Sequence, residues 1–442
     1  MNGNLKMTFV VLIGITLLVS CSSGRNKKGP GTPVRVVDTN LTDESKLLDD
    51  QSKAEKLALA GEQLVTPVAF MYADSVFDQA LSIDSENFRA NFYKRFLAPF
   101  MSLKGYMARF KPLIVQKGEE AKKRYEERIK NMPNSGLKTF LLDGPEDITN
   151  EKTAQIFLDG LVKAKSEFRA FLEKNKDREL TLNINSVELM NKAMNKAEED
   201  CRVEQISEGV FEYSEECSMA EVLQVKVERA DFELLKHITA GHEIYATLLT
   251  AYDVTGVIKK DEIVGKDATQ EQVVEYFRSI EDFGKIRENH GLKNIQAMGS
   301  DAVVGLKWAY ELRQKLCPKG REDKLNRPGH LFKNGLCVPE YSKDGEPIEQ
   351  VLAFFERVMN AETVEMVIPK NKSKTNDEVR TQVAYLSPLV NPVVDLKTIM
   401  PINFNECGNA MDVGEPTMGG YFPLGDATHV LTATGSLNRS CR

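Results

Sequence analysis

Beyond residue 20, this sequence has no apolar run approaching the length that a membrane-spanning helix requires, about 20 residues. It also lacks an excess of positive charge. With 58 Lys and Arg against 65 Asp and Glu, the formal net charge is -7, which argues against nucleic acid as the main partner because phosphate binding needs a basic face. No Cys-x-x-Cys pair occurs and no histidine stands at ligand spacing from a cysteine, so a structural zinc site is discounted.

Catalytic signatures are missing too. There is no Walker loop, and no G-x-G-x-x-G opens a helix. There is no G-x-S-x-G elbow either. "GHEIYA" lacks the second histidine of H-E-x-x-H, and "SKDGE" is too short for a calcium loop. Histidine is scarce: His237, His242, His290, His330 and His429. The first two lie about 140° apart around a helix and cannot share one metal or substrate. Carboxylate pairs such as Glu215 and Glu216 belong to charged runs of the kind that form solvated faces. No cofactor or metal is expected, and no residue is assigned a catalytic role.

What is present begins at the N-terminus. Lys6 precedes a run over residues 7–19 that is apolar apart from Thr8, Gly14 and Thr16, the pattern of a secretory signal peptide. Directly after it stands Leu18-Val19-Ser20-Cys21, which resembles the bacterial lipobox. The resemblance implies a bacterial lipoprotein, acylated with palmitate-type chains on Cys21 after removal of residues 1–20, which leaves 422 residues. Several acyl chains hold firmly where one holds marginally, at about 0.8 kcal/mol per buried methylene. Ser22, in place of Asp, further implies the outer membrane, with the body facing the periplasm or the cell surface. Residues 21–51 are poor in large apolar groups and read as a flexible tether.

Six cysteines remain: Cys201, Cys217, Cys317, Cys337, Cys407 and Cys441. In an exported chain they read as disulfides. Fifteen connectivities are open, and the short loops favour Cys201 with Cys217, Cys317 with Cys337, and Cys407 with Cys441. Each bridge could contribute about 3 kcal/mol.

From residue 52 the apolar period is helical, with helices expected over 54–65 and 68–83 and a third entered at "DSENFRANF". Gly61, Ala73, Phe77 and Ala80 stand where paired helices approach closely, and the pattern resembles one tetratricopeptide repeat (TPR). It is degenerate: Leu57 and Leu64 hold the aromatic positions of its first helix, and Ser85 the closing proline. A generic helical hairpin with small contact residues fits the same positions. A charged helix is expected over 105–132 and another over 150–174.

The period then changes. "ELTLNIN" alternates as a strand, and "CRVEQISEGVFEYSEEC" reads as a hairpin with a Glu-Gly turn. The longest helix is expected over 220–252, with Val225, Phe232, Leu235, Thr239, His242, Ala246 and Leu249 on its inner face. A Thr269–Gln272 capping box opens another. Helices over 292–316, carrying Trp308, and 347–361 follow, then strand-like "TVEMVI", "EVRTQVAYL" and "HVLTATG". The glycines of "EPTMGGYFPLGD" are expected to serve special backbone angles.

The expected organisation is a signal peptide over 1–20, a tether over 21–51, a TPR-like helical region over 52–175, a β-hairpin insertion over 176–219, a helical region over 220–361, and a mixed β/loop segment over 362–442. The fold class is mainly α: a helical-hairpin or TPR-like bundle, or short solenoid, with small β insertions and a partly β C-terminal segment. The expected function is a lipid-anchored scaffold for a protein partner. The alternative is a periplasmic enzyme or small-ligand binder with a site near His242 or Trp308.

Overall fold

Small residues at helical spacing build the first helices, and a capping side chain opens the first and third of them. In a computed structural model that describes residues 36–41, 48–132, 136–185, 203–214, 222–265, 267–288, 291–316, 353, 356, 363–368, 380–385 and 395–415, the chain enters through β1 (Val36–Asp38). Helix α1 (Asp50–Gln63) starts at Asp49, whose carboxylate accepts the N–H of Ser52. α2 (Phe70–Ile83) buries Ala73, Val76, Phe77 and Ala80. α3 (Phe88–Met101) is capped by Asn87, which accepts the N–H of Ala90.

The single helix expected over 105–132 is two: α4 (Tyr106–Val115) and α5 (Glu119–Asn131). Gly118 between them has φ +97°, a conformation that no helix continues through and that favours glycine. α5 carries charge on every side but one, where Tyr125 is buried and donates to the Met107 carbonyl. α6 (Gly136–Leu142) and the long α7 (Glu151–Asn175) follow.

The β excursion is larger than expected. β2 (Leu180–Asn185) pairs antiparallel with β5 (Val222–Val227), and β3 (Val203–Ser207) forms a hairpin with β4 (Val210–Tyr213) through the expected Glu208–Gly209 turn. Two expectations are corrected. Residues 222–227 are a strand, because Leu223, Val225 and Val227 alternate with the polar Gln224 and Lys226, and α8 runs only over Arg229–Ala251. Residues 36–38 are no tether: β1 pairs with β4 in a three-stranded sheet ordered β1-β4-β3, and Val37 is buried.

The chain divides into two units. The first takes residues 1–147, 163–236 and 305–338. Its core holds Leu64, Phe77, Phe140, Leu172, Tyr213 and Phe232, with Phe92 edge-on to Phe168 and Phe232 at 6.2 and 6.1 Å.

The second unit takes residues 148–162, 237–304 and 339–442. It contains α9 (Lys260–Ile263) and α10 (Gln270–Ser279), the latter opened by the expected Thr269–Gln272 capping box. A 3₁₀ turn (Gly291–Asn294) leads into α11 (Ile295–Leu316), whose first residues belong to this unit. β6 (Thr363–Ile368) pairs antiparallel with β7 (Arg380–Tyr385), and α12 (Leu396–Ile399) follows. Ala251, Leu292, Ile295 and Met298 form its core cluster. Arg287 ties the unit together: its Nη1 and Nη2 meet the two oxygens of Asp159 at 3.2 and 2.8 Å, and Nη1 donates to the Thr250 carbonyl at 2.7 Å.

The architecture is thus mainly helical with small antiparallel sheets, as the sequence implies. Of the helix expected over 347–361 only Ala353 and Glu356 are described, both helical. "HVLTATG" and all but Glu415 of "EPTMGGYFPLGD" lie outside the described residues. Among the described residues no helix is long and apolar enough to cross a membrane.

Candidate functional site

Gly61, Ala73, Phe77 and Ala80 come together between α1 and α2, all buried. A Cβ on Gly61 would stand 2.8 Å from the Phe77 ring, so the missing side chain is what lets the ring seat. On its other side Phe77 stacks on Tyr93 of α3, centroids 5.2 Å apart and planes within 3°. Cys407 is disulfide-bonded. Its loop docks on the start of α10, where Gly408 O accepts the N–H of Glu271 and Ala410 donates to the Gln270 side chain. Cys21, Cys201, Cys217, Cys317, Cys337 and Cys441 lie outside the described residues.

Below the Phe77–Tyr93 stack lies a polar cluster that apolar periodicity does not reveal. Glu62 of α1 is fully buried and accepts from Arg89 Nη1 on both oxygens (2.9 and 3.1 Å), from the Tyr93 hydroxyl (2.9 Å) and from Asn183 Nδ2 of β2 (2.7 Å). Arg89 also donates to Glu55 and to the Thr181 carbonyl. Burial pushes the Glu62 carboxyl up despite the Arg89 charge. At Arg89 burial opposes the charge, yet the carboxylates of Glu62 and Glu55 prevail and raise it. Burial and the neighbouring carboxylate hold the Tyr93 phenol well above its ordinary range, so it stays a donor. With Glu62 buried and bonded to Arg89, Tyr93 and Asn183, the cluster fastens α1, α3 and β2 together.

A second buried cation, Lys236 of α8, meets Glu173 at 2.5 Å and Glu233 at 2.9 Å. Burial works against its charge, but the two carboxylates hold it raised.

His237 and His242 do not converge. His237 is largely buried and its Nδ1–H donates to the Ala302 carbonyl at 2.6 Å, while His242 is half-exposed. Burial holds the His237 pKa below its ordinary value. The neutral ring is therefore the one the fold accommodates, and its contribution to stability is complete above the unfolded value of about 6.5 and lost as pH falls below it. Thermal unfolding between pH 8 and 5 is expected to show wild type losing stability on the acid side and His237→Gln, which keeps a donor, losing less. His290, His330 and His429 lie outside the described residues. Among the described residues no group of three or more His, Cys, Asp or Glu could hold a metal ion.

The most unusual feature of the second unit is the polarity of α8 from His237 onward. Thr239, Glu243, Thr247 and Thr250 face inward at 7%, 3%, 0% and 4% exposure, whereas Tyr245, Leu248 and Leu249 face solvent at 56%, 45% and 49%. Leu249, expected on the inner face, is thereby corrected. Thr247 packs against Gly291, where a Cβ would come within 3.1 Å of its methyl. The outward stripe is completed by Gly241, around which a Cβ would find open space. Gly241, Tyr245, Leu248 and Leu249 stand at i, i+4, i+7 and i+8, one continuous helix face. A contiguous apolar face turned to water marks an interaction surface more readily than scattered apolar residues do.

Compared with known proteins, the chain matches no family model, no curated protein and no solved structure.

Proposed function

We propose that this is a lipid-anchored protein of the bacterial cell envelope, held at the outer membrane by acyl chains on Cys21, whose helical body is a scaffold for a protein partner. The lipobox supports the anchor. The observation that carries the scaffold reading is the solvent-facing stripe Gly241, Tyr245, Leu248 and Leu249 on a helix whose polar residues are turned inward. Burying the exposed remainder of each leucine would contribute about 1 kcal/mol, and the tyrosine adds a ring with a polar tip. The α1–α2 hairpin, with Gly61 seated on Phe77, is read as a single degenerate TPR-like unit within the scaffold.

Cross-linking in intact cells followed by pull-down tests both parts. Leu248→Asp with Leu249→Asp is expected to reduce partner capture about tenfold or more, while unfolding shifts by no more than about 0.5 kcal/mol because both positions are exposed. Cys21→Ala is expected to release the protein from the membrane fraction. Undiminished capture by the leucine variant would remove this face from the scaffold. If even the wild type retained no partner, the scaffold reading would give way to ligand binding.

A further inference from the structure

Strand β1 has three residues, yet it is held along its whole length. Val36, Val37 and Asp38 pair antiparallel with Glu212, Phe211 and Val210, and Val37 is buried. Just beyond the strand, the N–H and Oγ1 of Thr39 both donate to the Gly209 carbonyl, at 2.7 and 2.8 Å, and Asn40 Nδ2 donates to the Glu208 carbonyl at 2.7 Å. The turn is shaped to take this clasp. Gly209 has φ +71°, and a Cβ there would stand 2.6 Å from Asn40 Oδ1. The hairpin is itself fastened to the helices: the Tyr213 hydroxyl donates to the Gln63 carbonyl at 2.8 Å, and Phe211 packs on Tyr72 with centroids 4.8 Å apart.

The contacts of β1, Thr39 and Asn40 with the hairpin join positions 168 to 176 apart in the chain. No local turn produces them, and the closure they require has to be offset by the contacts themselves.

We infer that β1 with Thr39 and Asn40 is a clasp that fixes where the chain leaves for its N-terminal lipid, so that residues 21–36 alone set how far the first unit can stand from the bilayer. The inference rests on the reading of Cys21 as lipidated. Fifteen residues lead from Cys21 to Val36, at most about 50 Å of extended chain; with the clasp open, 28 lead from Cys21 to Asp49, at most about 95 Å. Closing the clasp roughly halves the reach.

Trp308, the chain's single tryptophan, belongs to the same unit as β1 and serves as an energy-transfer donor. The full lipidated protein would be placed in phosphatidylethanolamine/phosphatidylglycerol vesicles carrying a headgroup-labelled acceptor. A Gly/Ser insert of about 30 residues goes either between Gly31 and Thr32, ahead of the clasp, or between Leu41 and Thr42, behind it. The insert ahead of the clasp is expected to lower transfer about twofold or more, and the insert behind it to leave transfer unchanged. Adding Thr39→Ala and Asn40→Ala, or the stronger Val37→Asp, to the second insert is expected to bring transfer down to the level of the first. Equal losses from both inserts, or none from either, would overturn the clasp. Mass analysis of the N-terminal peptide separates the two ideas. A wild-type Cys21 without lipid overturns the anchor and the clasp's role with it, whereas a lipidated protein with equivalent inserts overturns the clasp alone.

Discussion

Arg89→Ala is expected to destabilise the first unit by about 3–5 kcal/mol in equilibrium denaturation, because it strips the cation from a carboxylate that has no access to water. Glu62 would keep only the Tyr93 hydroxyl and Asn183, and the Thr181 carbonyl and Glu55 would lose a donor as well. Arg89→Lys should recover only part of the loss, since an ammonium cannot reproduce a fork that reaches Glu55 and Glu62 at once. The pH dependence identifies the cause. Burial already holds Glu62 above the ordinary glutamate value of about 4.3, so ionising it inside the fold is unfavourable above the raised pKa, and acidification through that window relieves the penalty. Without Arg89 the window extends further upward. The variant should therefore regain part of its deficit, relative to wild type, between pH 7 and 5. A deficit constant over that range would assign the cost to lost packing and not to the stranded charge.

The same cluster shows where sequence reading stops. Helices α1 to α3, the Thr269 capping box and the Glu208–Gly209 turn were legible because each depends on residues close in sequence: small residues at helical spacing, a side chain reaching its own helix end, a glycine able to take positive φ. Gly61 and Phe77 were legible for a related reason, since two adjacent helices closed by a short turn have few ways to meet. Glu62 was not, because a glutamate beside Gly61 reads as solvent-facing until Arg89, Tyr93 and Asn183 arrive from elements up to 121 residues away. Helix α8 misled for the opposite reason. Counting apolar residues placed Leu249 inside and left Glu243 out, whereas the fold turns Glu243, Thr247 and Thr250 inward beside the expected Thr239. β1 offered only two apolar residues, Val36 and Val37, too little for periodicity, and its partner strand lies more than 170 residues on.

Phe77→Ala is expected to cost about 3–5 kcal/mol, the range for emptying a fully buried aromatic site. The more informative measurement pairs it with Gly61→Ala. In the wild-type background two effects of that second change oppose each other: alanine favours the helix by about 0.5–1 kcal/mol, but its Cβ would stand 2.8 Å from the Phe77 ring, and overpacking costs about 1–3 kcal/mol. The steric effect should prevail, because the ring cannot swing aside while it lies stacked against buried Tyr93, whose hydroxyl is held by Glu62. Once Phe77 is alanine the obstruction is gone and only the helix preference remains. Gly61→Ala is then expected to change sign, from destabilising by about 1–2 kcal/mol to stabilising by about 0.5–1. The double variant would thus be more stable than Phe77→Ala alone, a coupling of about 1.5–3 kcal/mol between two residues 16 apart in sequence. If Gly61→Ala cost the same in both backgrounds, contact with the ring would not be what makes glycine necessary at this crossing of α1 and α2.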